Sequence, residues 1–298
     1  MKSDKSPKAG TIVRLGVLAL LVIVAFNFQA LQDDYILATY KPTVQVLGLE
    51  SRVTLTRSAE AVLDRTQPQF DSKVNFNTDC DTQPHELELG CFYRGRIFVL
   101  AIDNPSLAPE MDVVAAHELL HAVWSNLSSS DRTALTAELE RVYAGITDAD
   151  LRQRMAGYAK SEPGEEANEL HSILGTEFTS LSPMLEAHYA KYFANRDQIV
   201  KEHAGYQAVF DSRRNELESE LAKIRNEKGQ LAVINRQLET YQTSGQISTY
   251  NALVPKQNQM VDAINSQISS YRSEVDEYNA LSKSLDSQEI TDTETSAQ

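Results

Sequence analysis

Cysteine is scarce in this chain of 298 residues, which contains only Cys80 and Cys91. They lie 11 positions apart, whereas two cysteines that share one zinc ion usually lie about two to four residues apart. A cysteine-based metal site is therefore disfavoured. In an oxidising compartment the two would form a disulfide, which would stabilise the fold by about 2–3 kcal/mol. Two free core thiols are the alternative.

Basic residues are also few, with 28 Lys and Arg against 42 Asp and Glu and a net charge of −14. The first 14 residues hold four of the bases and one acid. Without this arm, 24 basic residues face 41 acidic ones, a net charge of −17. Such a surface repels phosphate backbones and anionic lipid headgroups. The composition therefore excludes nucleic acid as a partner.

One long apolar run, Leu15–Phe28, follows the basic arm. This order is typical of a membrane-targeting segment whose basic flank stays in the cytoplasm. The run is shorter than the roughly 20 residues of a spanning helix, so a cleaved signal peptide, which would make the protein secreted, is the alternative. Residues 27–31 contain no small-x-small cleavage site. We therefore expect a single-pass anchor with an extracytoplasmic body.

The segment Val114–Val123 contains a His-Glu-x-x-His motif formed by His117, Glu118 and His121. On a helix, residues four apart lie on one face, so both imidazoles can point at one ion. Two imidazoles and a carboxylate suit a catalytic Zn²⁺ with one open position. Glu118 is rotated by about 100° from His117, which is where a general base stands.

The surroundings of the motif suit a buried metal helix. From Val113 through Trp124, Glu118 is the only charged residue and proline is absent. Upstream, Pro109, Glu110 and Asp112 fit the first turn of a helix and its positive end. The alternative is a core helix whose polar side chains are satisfied by hydrogen bonds, but burying two histidines and a glutamate without a metal is costly.

With this motif the chain resembles the zincin metallopeptidases, over the helix itself and more loosely over residues 90–190. The resemblance implies that His117 and His121 bind one zinc ion and that Glu118 acts as base and proton shuttle. The third histidine of metzincins is absent. The Asn168-Glu169-x-x-Ser172 segment instead resembles the Asn-Glu-x-x-Ser pattern of thermolysin-like gluzincins, which implies Glu169 as the third ligand.

Several residues compete for these roles. The acid that the family carries four positions after this Glu is Ile173 here, so the usual partner of a ligand must come from elsewhere. The competitors of Glu169 are Glu165, Glu166, Glu177 and His171. The candidates for stabilising an oxyanion are His171, His188 and Tyr189, although a helix would turn His171 about 200° away from Glu169. Packing of the domain is the alternative role for these rings.

The predicted fold class is α+β, mainly α. A zincin-like domain with a small sheet occupies residues 32–195, after a cytoplasmic arm and membrane helix in residues 1–31. Residues 91–102 are rich in β-branched and aromatic side chains and predict a strand, which by the resemblance would bind an extended substrate along its edge. Leucines and isoleucines at coiled-coil-like spacing predict a long antiparallel helical hairpin over residues 196–285. Its turn falls at Thr243–Gln246, and Pro255 is expected to start the regular part of its second helix.

The function expected from these features is that of a membrane-anchored zinc peptidase, a hydrolase of peptide or protein substrates outside the cytoplasm. One alternative is an anchored scaffold protein with a structural or degenerate zinc site. Another is a hydrolase of non-peptide amides such as cell-wall components. The hairpin is the expected surface for a protein partner or for self-association. The polar, acidic tail, residues 286–298, is expected to be disordered.

Overall fold

A computed structural model of the chain describes residues 28–80 and 89–285. In these ranges the protein is mainly helical with one small sheet, as the sequence predicts. No helix there is long and apolar enough to cross a bilayer. Most of the predicted membrane segment, His85 and the predicted disordered tail lie outside the described residues.

Up to β3 the described ranges contain both helices and strands, and after β3 they contain helices only. The strands are β1 (Gln69–Asp71), β2 (Gly90–Tyr93) and β3 (Arg96–Leu100). The helices are α1 (Phe28–Thr39), α2 (Val44–Arg52), α3 (Arg57–Thr66), α4 (Lys73–Asp79), α5 (Glu110–Asn126), α6 (Ser129–Gly145), α7 (Ala149–Ser161), α8 (Glu166–Glu177), α9 (Pro183–Tyr189), α10 (Arg196–Thr243) and α11 (Ile247–Leu285). Helix α1 begins inside the region assigned to the membrane arm and crosses the predicted boundary at residue 31.

Helix starts follow local side-chain chemistry. The side chains that accept a backbone N–H at the start of α2, α3, α6, α7 and α9 are those of Thr43, Thr56, Ser128, Asp148 and Ser182. Each satisfies a donor that has no partner inside the helix. These caps set where five helices around the candidate site begin, whereas α5 and α8 start without a side-chain cap.

The three-stranded sheet has the order β1-β3-β2, with β1 parallel and β2 antiparallel to β3. The single strand predicted over residues 91–102 is wrong, because Arg94 and Gly95 reverse the chain between β2 and β3. Both residues have positive φ angles, 51° and 79°, as in the type I′ turns that join hairpin strands. The reversal makes β2 an edge strand.

Helix α5, which carries the His-Glu-x-x-His motif, runs through the middle of the domain. It packs against β2, β3, α3, α8 and α10. Its buried apolar side chains point in several directions and include Val113, Ala115, Ala116, Leu119, Leu120 and Val123. The acid Asp112 in its first turn accepts two hydrogen bonds from Arg52 of α2. The motif therefore lies on a rigid element held on several sides.

The helical hairpin of α10 and α11 is antiparallel and closes at the predicted turn. Gln257 Nε2 donates to Asn235 Oδ1 at 2.7 Å, and Gln267 Nε2 donates to Glu227 Oε1 at 3.0 Å. Pro255 lies inside α11, so the prediction that it starts the regular helix is wrong. The residues before it are already helical, since the Tyr250 N–H donates to the Gln246 carbonyl at 3.0 Å.

The base of the hairpin is part of the domain. Tyr206, Val209 and Phe210 of α10 pack against buried Ile102 and Leu107, which follow β3, and the buried Leu285 at the end of α11 joins the same cluster. At about 1.5 Å per residue, the 48 residues of α10 extend roughly 72 Å. The first turns of α10 and the end of α11 are therefore anchored in the domain, and the rest of the hairpin extends away from it.

Candidate metal centre

Two elements far apart in sequence bring three metal-ligand side chains together. Helix α5 supplies His117 and His121, and α8 supplies Glu169. The His117 Nε2 lies 3.7 Å from Glu169 Oε2, and the His121 Nε2 lies 3.4 Å from Glu169 Oε1. One donor atom from each of the three residues lies within 4.8 Å of the others. A four-coordinate zinc ion about 2.0–2.2 Å from its ligands would hold them about 3.4 Å apart. The two imidazole–carboxylate distances fit this spacing, whereas donor atoms at the full separation of 4.8 Å would have to move closer together to bind one ion.

The competing carboxylates have other hydrogen-bond partners. Glu166 accepts a hydrogen bond from the Gly164 N–H at 2.8 Å, and Glu177 forms a two-point ion pair with Arg154. Glu165 lines the same cleft as the triad but accepts a hydrogen bond from Asn168 Nδ2 at 3.2 Å. Among the predicted alternatives, Glu169 is the carboxylate that the packing of α8 on α5 brings to both imidazoles.

Asn168 holds the ring of His121. The His121 Nδ1 donates to Asn168 Oδ1 at 3.0 Å, given that the other end of this amide donates to Glu165. With its proton on Nδ1, His121 presents the lone pair of Nε2 to the carboxylate of Glu169. Two acceptors then face each other at 3.4 Å, an arrangement that a cation between them would stabilise. Asn168 therefore orients a candidate ligand. The family's acid would have this role at the position that Ile173 occupies here.

The charge states at the site follow from burial and from the neighbouring carboxylates. Burial lowers the pKa of His121 to about 4, so its imidazole is neutral at pH 7. Burial also opposes ionisation of Glu169, but the interactions with His117 and His121 outweigh it and lower the pKa of this carboxyl. Burial lowers the pKa of His117, but the nearby carboxylates of Glu169 and Glu118 outweigh this effect and raise the pKa above its usual value. A neutral imidazole and a carboxylate are the protonation states in which these groups bind metal, so His121 and Glu169 are in the required states, whereas a metal ion would compete with a proton at His117.

Glu118 lies at the contact between α5 and β2. It is 6% exposed, and a Cβ placed on Gly90 would come within 3.0 Å of the Cγ and Oε1 atoms of Glu118 and 2.4 Å from a methyl of Val114. The absence of a side chain at Gly90 therefore lets β2 approach the helix. This approach positions the Glu118 carboxylate beside the triad and the edge strand.

An open cleft of about 470 Å³ contains the triad and Glu118. Residues Gly90, Cys91, Phe92 and Tyr93 of β2 form one wall, and the end of α7 and start of α8 form another, with Tyr158, Ser161, Glu162, Glu165 and Asn168. Tyr158 lies near enough to Glu169 to lower the pKa of that carboxyl, and its own pKa is raised by burial. No sequence motif marked Tyr158 or Gly90, because their roles depend on which elements meet.

The three predicted oxyanion candidates lie in another part of the domain. His171 and His188 contact each other through their Nε2 atoms at 2.9 Å, and Tyr189 donates to the His171 carbonyl at 2.7 Å. The ring of Trp124 packs on His171. None of the three predicted residues lines the cleft. For His171 the reason is helical geometry, since a residue two positions after Glu169 faces the opposite side of α8; His188 and Tyr189 belong to α9.

Cys80 and Cys91 form a disulfide with a Cα–Cα distance of 5.8 Å, so the predicted pairing is confirmed. The bond joins the end of α4 to the edge strand β2, and both cysteines line the cleft. The disulfide therefore restrains the strand that forms one wall of the candidate site.

Comparison with known proteins identifies no relative of this chain: no family model, no curated protein and no solved structure matches it.

Proposed function

We propose that this protein is a zinc-dependent peptidase. The observation that carries the proposal is the convergence of His117, His121 and Glu169 on one point of an open cleft, with the carboxylate of Glu118 beside them. Two imidazoles and one carboxylate form the ligand set of many catalytic zinc sites, whereas structural sites usually have about four protein ligands. The resemblance of the motif to zincins supports the same proposal.

The residues of the cleft have distinct roles in this proposal. Zinc held by the triad would supply a Lewis acid that lowers the pKa of water and polarises a carbonyl. Glu118 takes a proton from the attacking water and delivers it to the nitrogen of the leaving amine. Tyr158, whose pKa is raised, stays protonated at neutral pH and donates a hydrogen bond to the oxygen that becomes negative.

The edge of β2 supports a peptide as the substrate. In the described ranges β2 pairs with β3 on one side only, and all four of its residues line the cleft. An extended peptide can therefore add to this edge through backbone hydrogen bonds, which also hold its scissile bond beside Glu118. A non-peptide amide has no such backbone. Analysis of the products from both substrate types distinguishes the two.

Location and partners are part of the proposal. The basic arm and apolar run at the start of the chain favour a single-pass anchor with its N-terminus in the cytoplasm. The disulfide supports an oxidising compartment for the domain. The hairpin α10–α11, which extends away from the domain, is proposed to bind a protein partner or a second copy of the chain. Sedimentation of the purified protein, alone and with captured partners, tests this last point.

The proposal is tested with Glu118→Gln, which removes the base and keeps the shape of the side chain. We expect the variant to retain one zinc ion per chain and to lose about 10²–10⁴-fold in turnover, the usual contribution of a general base. Zinc is measured by elemental analysis and turnover with a peptide library. Glu216→Gln, at an exposed site on α10, is the matched control and should keep both.

A complementary variant removes a ligand. His117→Ala should lose the metal, and a chelator should abolish cleavage by the unaltered protein until zinc is restored. Full peptidase activity in Glu118→Gln would exclude the proposed role of the base. Stoichiometric zinc without cleavage of either substrate type would instead favour the scaffold protein with a structural or degenerate site.

A further inference from the structure

A second cavity of about 450 Å³ adjoins the metal cleft. The two share Phe92 of β2, which lines both. On α5 the second cavity is lined by Ala122, Ser125 and Asn126, which lie four, seven and eight residues after Glu118 and so continue its face of the helix. The cleft and the second cavity therefore lie side by side along the same face of α5 and meet at Phe92.

Three guanidinium groups line the second cavity, which we name the arginine pocket. They belong to Arg65 at the end of α3, Arg94 in the β2–β3 turn and Arg96 of β3. In the described part of the chain none of them lies within ion-pair distance of a carboxylate, unlike Arg52, Arg154 and Arg196. One carboxylate, that of Asp33, lines the pocket as well. The pocket is thus a local concentration of positive charge in a strongly acidic protein.

Two donors of this pocket are buried and lack a protein acceptor. Within the described residues, the Nε atoms of Arg65 and Arg96 have no hydrogen-bond partner. Among the described residues, Arg96 donates through Nη2 to the Gln67 carbonyl at 3.3 Å and lies over the ring of Phe98, and it partly offsets the rise that burial causes in the pKa of Asp71. Buried donors without acceptors are costly. Because these two atoms are themselves enclosed, a carboxylate in the pocket would pair instead with the outer N–H groups of the guanidinium groups, which bind carboxylates through paired hydrogen bonds.

Arg94 adopts a backbone conformation that disfavours it. Its φ is 51°, in the left-handed region, where a residue other than glycine, asparagine or aspartate is disfavoured by roughly 1 kcal/mol. Type I′ turns favour asparagine or glycine at this position. Such a conflict between residue and backbone is typical of functional positions. The guanidinium group of Arg94 lies over the ring of Tyr93, 4.9 Å from its centroid, so Arg94 contacts a residue of the metal cleft while it also lines the pocket.

We propose that the arginine pocket binds a carboxylate of the substrate, two or three residues away from the scissile bond. The distance follows from the elements, since Ser125 lies about 6 Å along α5 from His121 and an extended chain advances about 3.3 Å per residue. The carboxylate is either the C-terminus of the peptide or an acidic side chain. The inference rests on the proposed function, to which it adds a substrate class.

The test is peptide binding by the full chain carrying Glu118→Gln, which prevents turnover. Four pools of fluorescein-labelled hexapeptides are compared by anisotropy: free C-terminus or carboxamide, each with an internal Asp or an internal Asn. We expect one carboxylate source to tighten binding at least tenfold. Arg94→Asn and Arg65→Gln should each remove most of this preference, and Arg213→Gln on the exposed hairpin should keep it.

Arg94→Asn is the sharper variant because asparagine suits the turn, so a loss of binding cannot result from unfolding. Equal binding of all four pools, or an unchanged preference in Arg94→Asn, would overturn the inference. Its failure is separable from that of the proposed function. If the protein cleaves peptides with zinc and Glu118 but shows no preference for a carboxylate, only the inference about the arginine pocket is rejected. If it cleaves nothing but still binds carboxylates through these arginines, only the proposed peptidase activity is rejected.

Discussion

At the scale of single residues, the candidate site depends on Asn168 as much as on the ligands. Its amide accepts the Nδ1 proton of His121 and donates to Glu165. This pair of hydrogen bonds fixes the direction of the amide, and the amide fixes which nitrogen of the imidazole faces Glu169. A ligand whose ring and tautomer are set in advance loses less freedom when it binds a metal.

Replacing Asn168 tests this orienting role. Asn168→Ala should weaken zinc binding about 10–100-fold while the three ligands remain, because His121 can then rotate and protonate on Nε2. Competition with a chromophoric chelator measures the affinity. Asn251→Ala, at an exposed site on α11, should bind zinc as the unaltered protein does. Unchanged affinity in Asn168→Ala would show that His121 is held by other contacts.

At the scale of secondary-structure elements, the contact between β2 and α5 determines the shape of the cleft. Gly90 permits the contact, because any side chain there would overlap Val114 and Glu118. The disulfide from α4 holds the next residue of the same strand. The strand is thereby positioned both by a close approach and by a covalent bond, beside the residue proposed as the general base.

Substituting Gly90 should separate β2 from α5. Gly90→Ala forces the strand or the Glu118 side chain to move, so we expect turnover to fall at least tenfold while zinc content stays near one per chain. Gly229→Ala on α10 is the control, since its Cβ meets nothing within 4 Å; alanine should stabilise that helix by up to about 1 kcal/mol. Normal turnover in Gly90→Ala would contradict the proposed placement of Glu118.

At the scale of the whole molecule, a buried charge network joins the hairpin to the domain. His203 of α10 donates to Glu110 of α5 at 3.1 Å, and its other nitrogen lies 3.5 Å from Glu177 of α8. Glu177 in turn pairs with Arg154 of α7. Four helices therefore meet in one network, and the ring of His203 lies near Tyr206 of the apolar cluster at the base of the hairpin. The acid Glu110, which the sequence suggested only as a partner of the helix dipole, is part of this junction.

The network makes the stability of the protein depend on pH. Burial opposes the charged form of His203, but Glu110 and Glu177 outweigh it and raise the pKa of this imidazole; burial raises the pKa of Glu110. A group whose pKa is higher in the folded protein than in the unfolded chain stabilises the folded state fully at a pH below the unfolded pKa. This stabilisation is lost as the pH rises through the folded pKa. The unfolding free energy should therefore fall as the pH rises from about 6.5.

His203→Asn should reduce this pH dependence. Near pH 6 the variant removes the partner of Glu110 and leaves Glu177 with Arg154 alone, and it should lose about 1–3 kcal/mol of unfolding free energy. The loss should shrink at higher pH. Urea denaturation followed by the fluorescence of Trp124, the single tryptophan, measures both effects. Lys201→Asn, exposed on the same helix, is the control. A loss that is the same at every pH would assign His203 a packing role alone.

The features that could be predicted from the sequence are local in the chain. His117, Glu118 and His121 share one helix, so their spacing alone establishes that two imidazoles point one way and that the carboxylate stands beside them. The hairpin turn after Thr243 depends on nearby residues, and two cysteines leave one intramolecular pairing. The strand prediction fails for a local reason as well, because Arg94 occupies a turn position where arginine is uncommon, which weakens the turn signal that Gly95 gives.

What only the tertiary structure decided concerns residues that meet across long separations. The Asn-Glu-x-x-Ser resemblance pointed to Glu169, but only the packing of α8 on α5 separates it from Glu166 and Glu177. The same holds for Tyr158, for Gly90 and for the three arginines of the second cavity, which come from α3, a turn and β3. Periodicity determines which side of an element a residue occupies, whereas the contacts between elements depend on how all the apolar faces are buried together, and no short stretch of sequence contains that information.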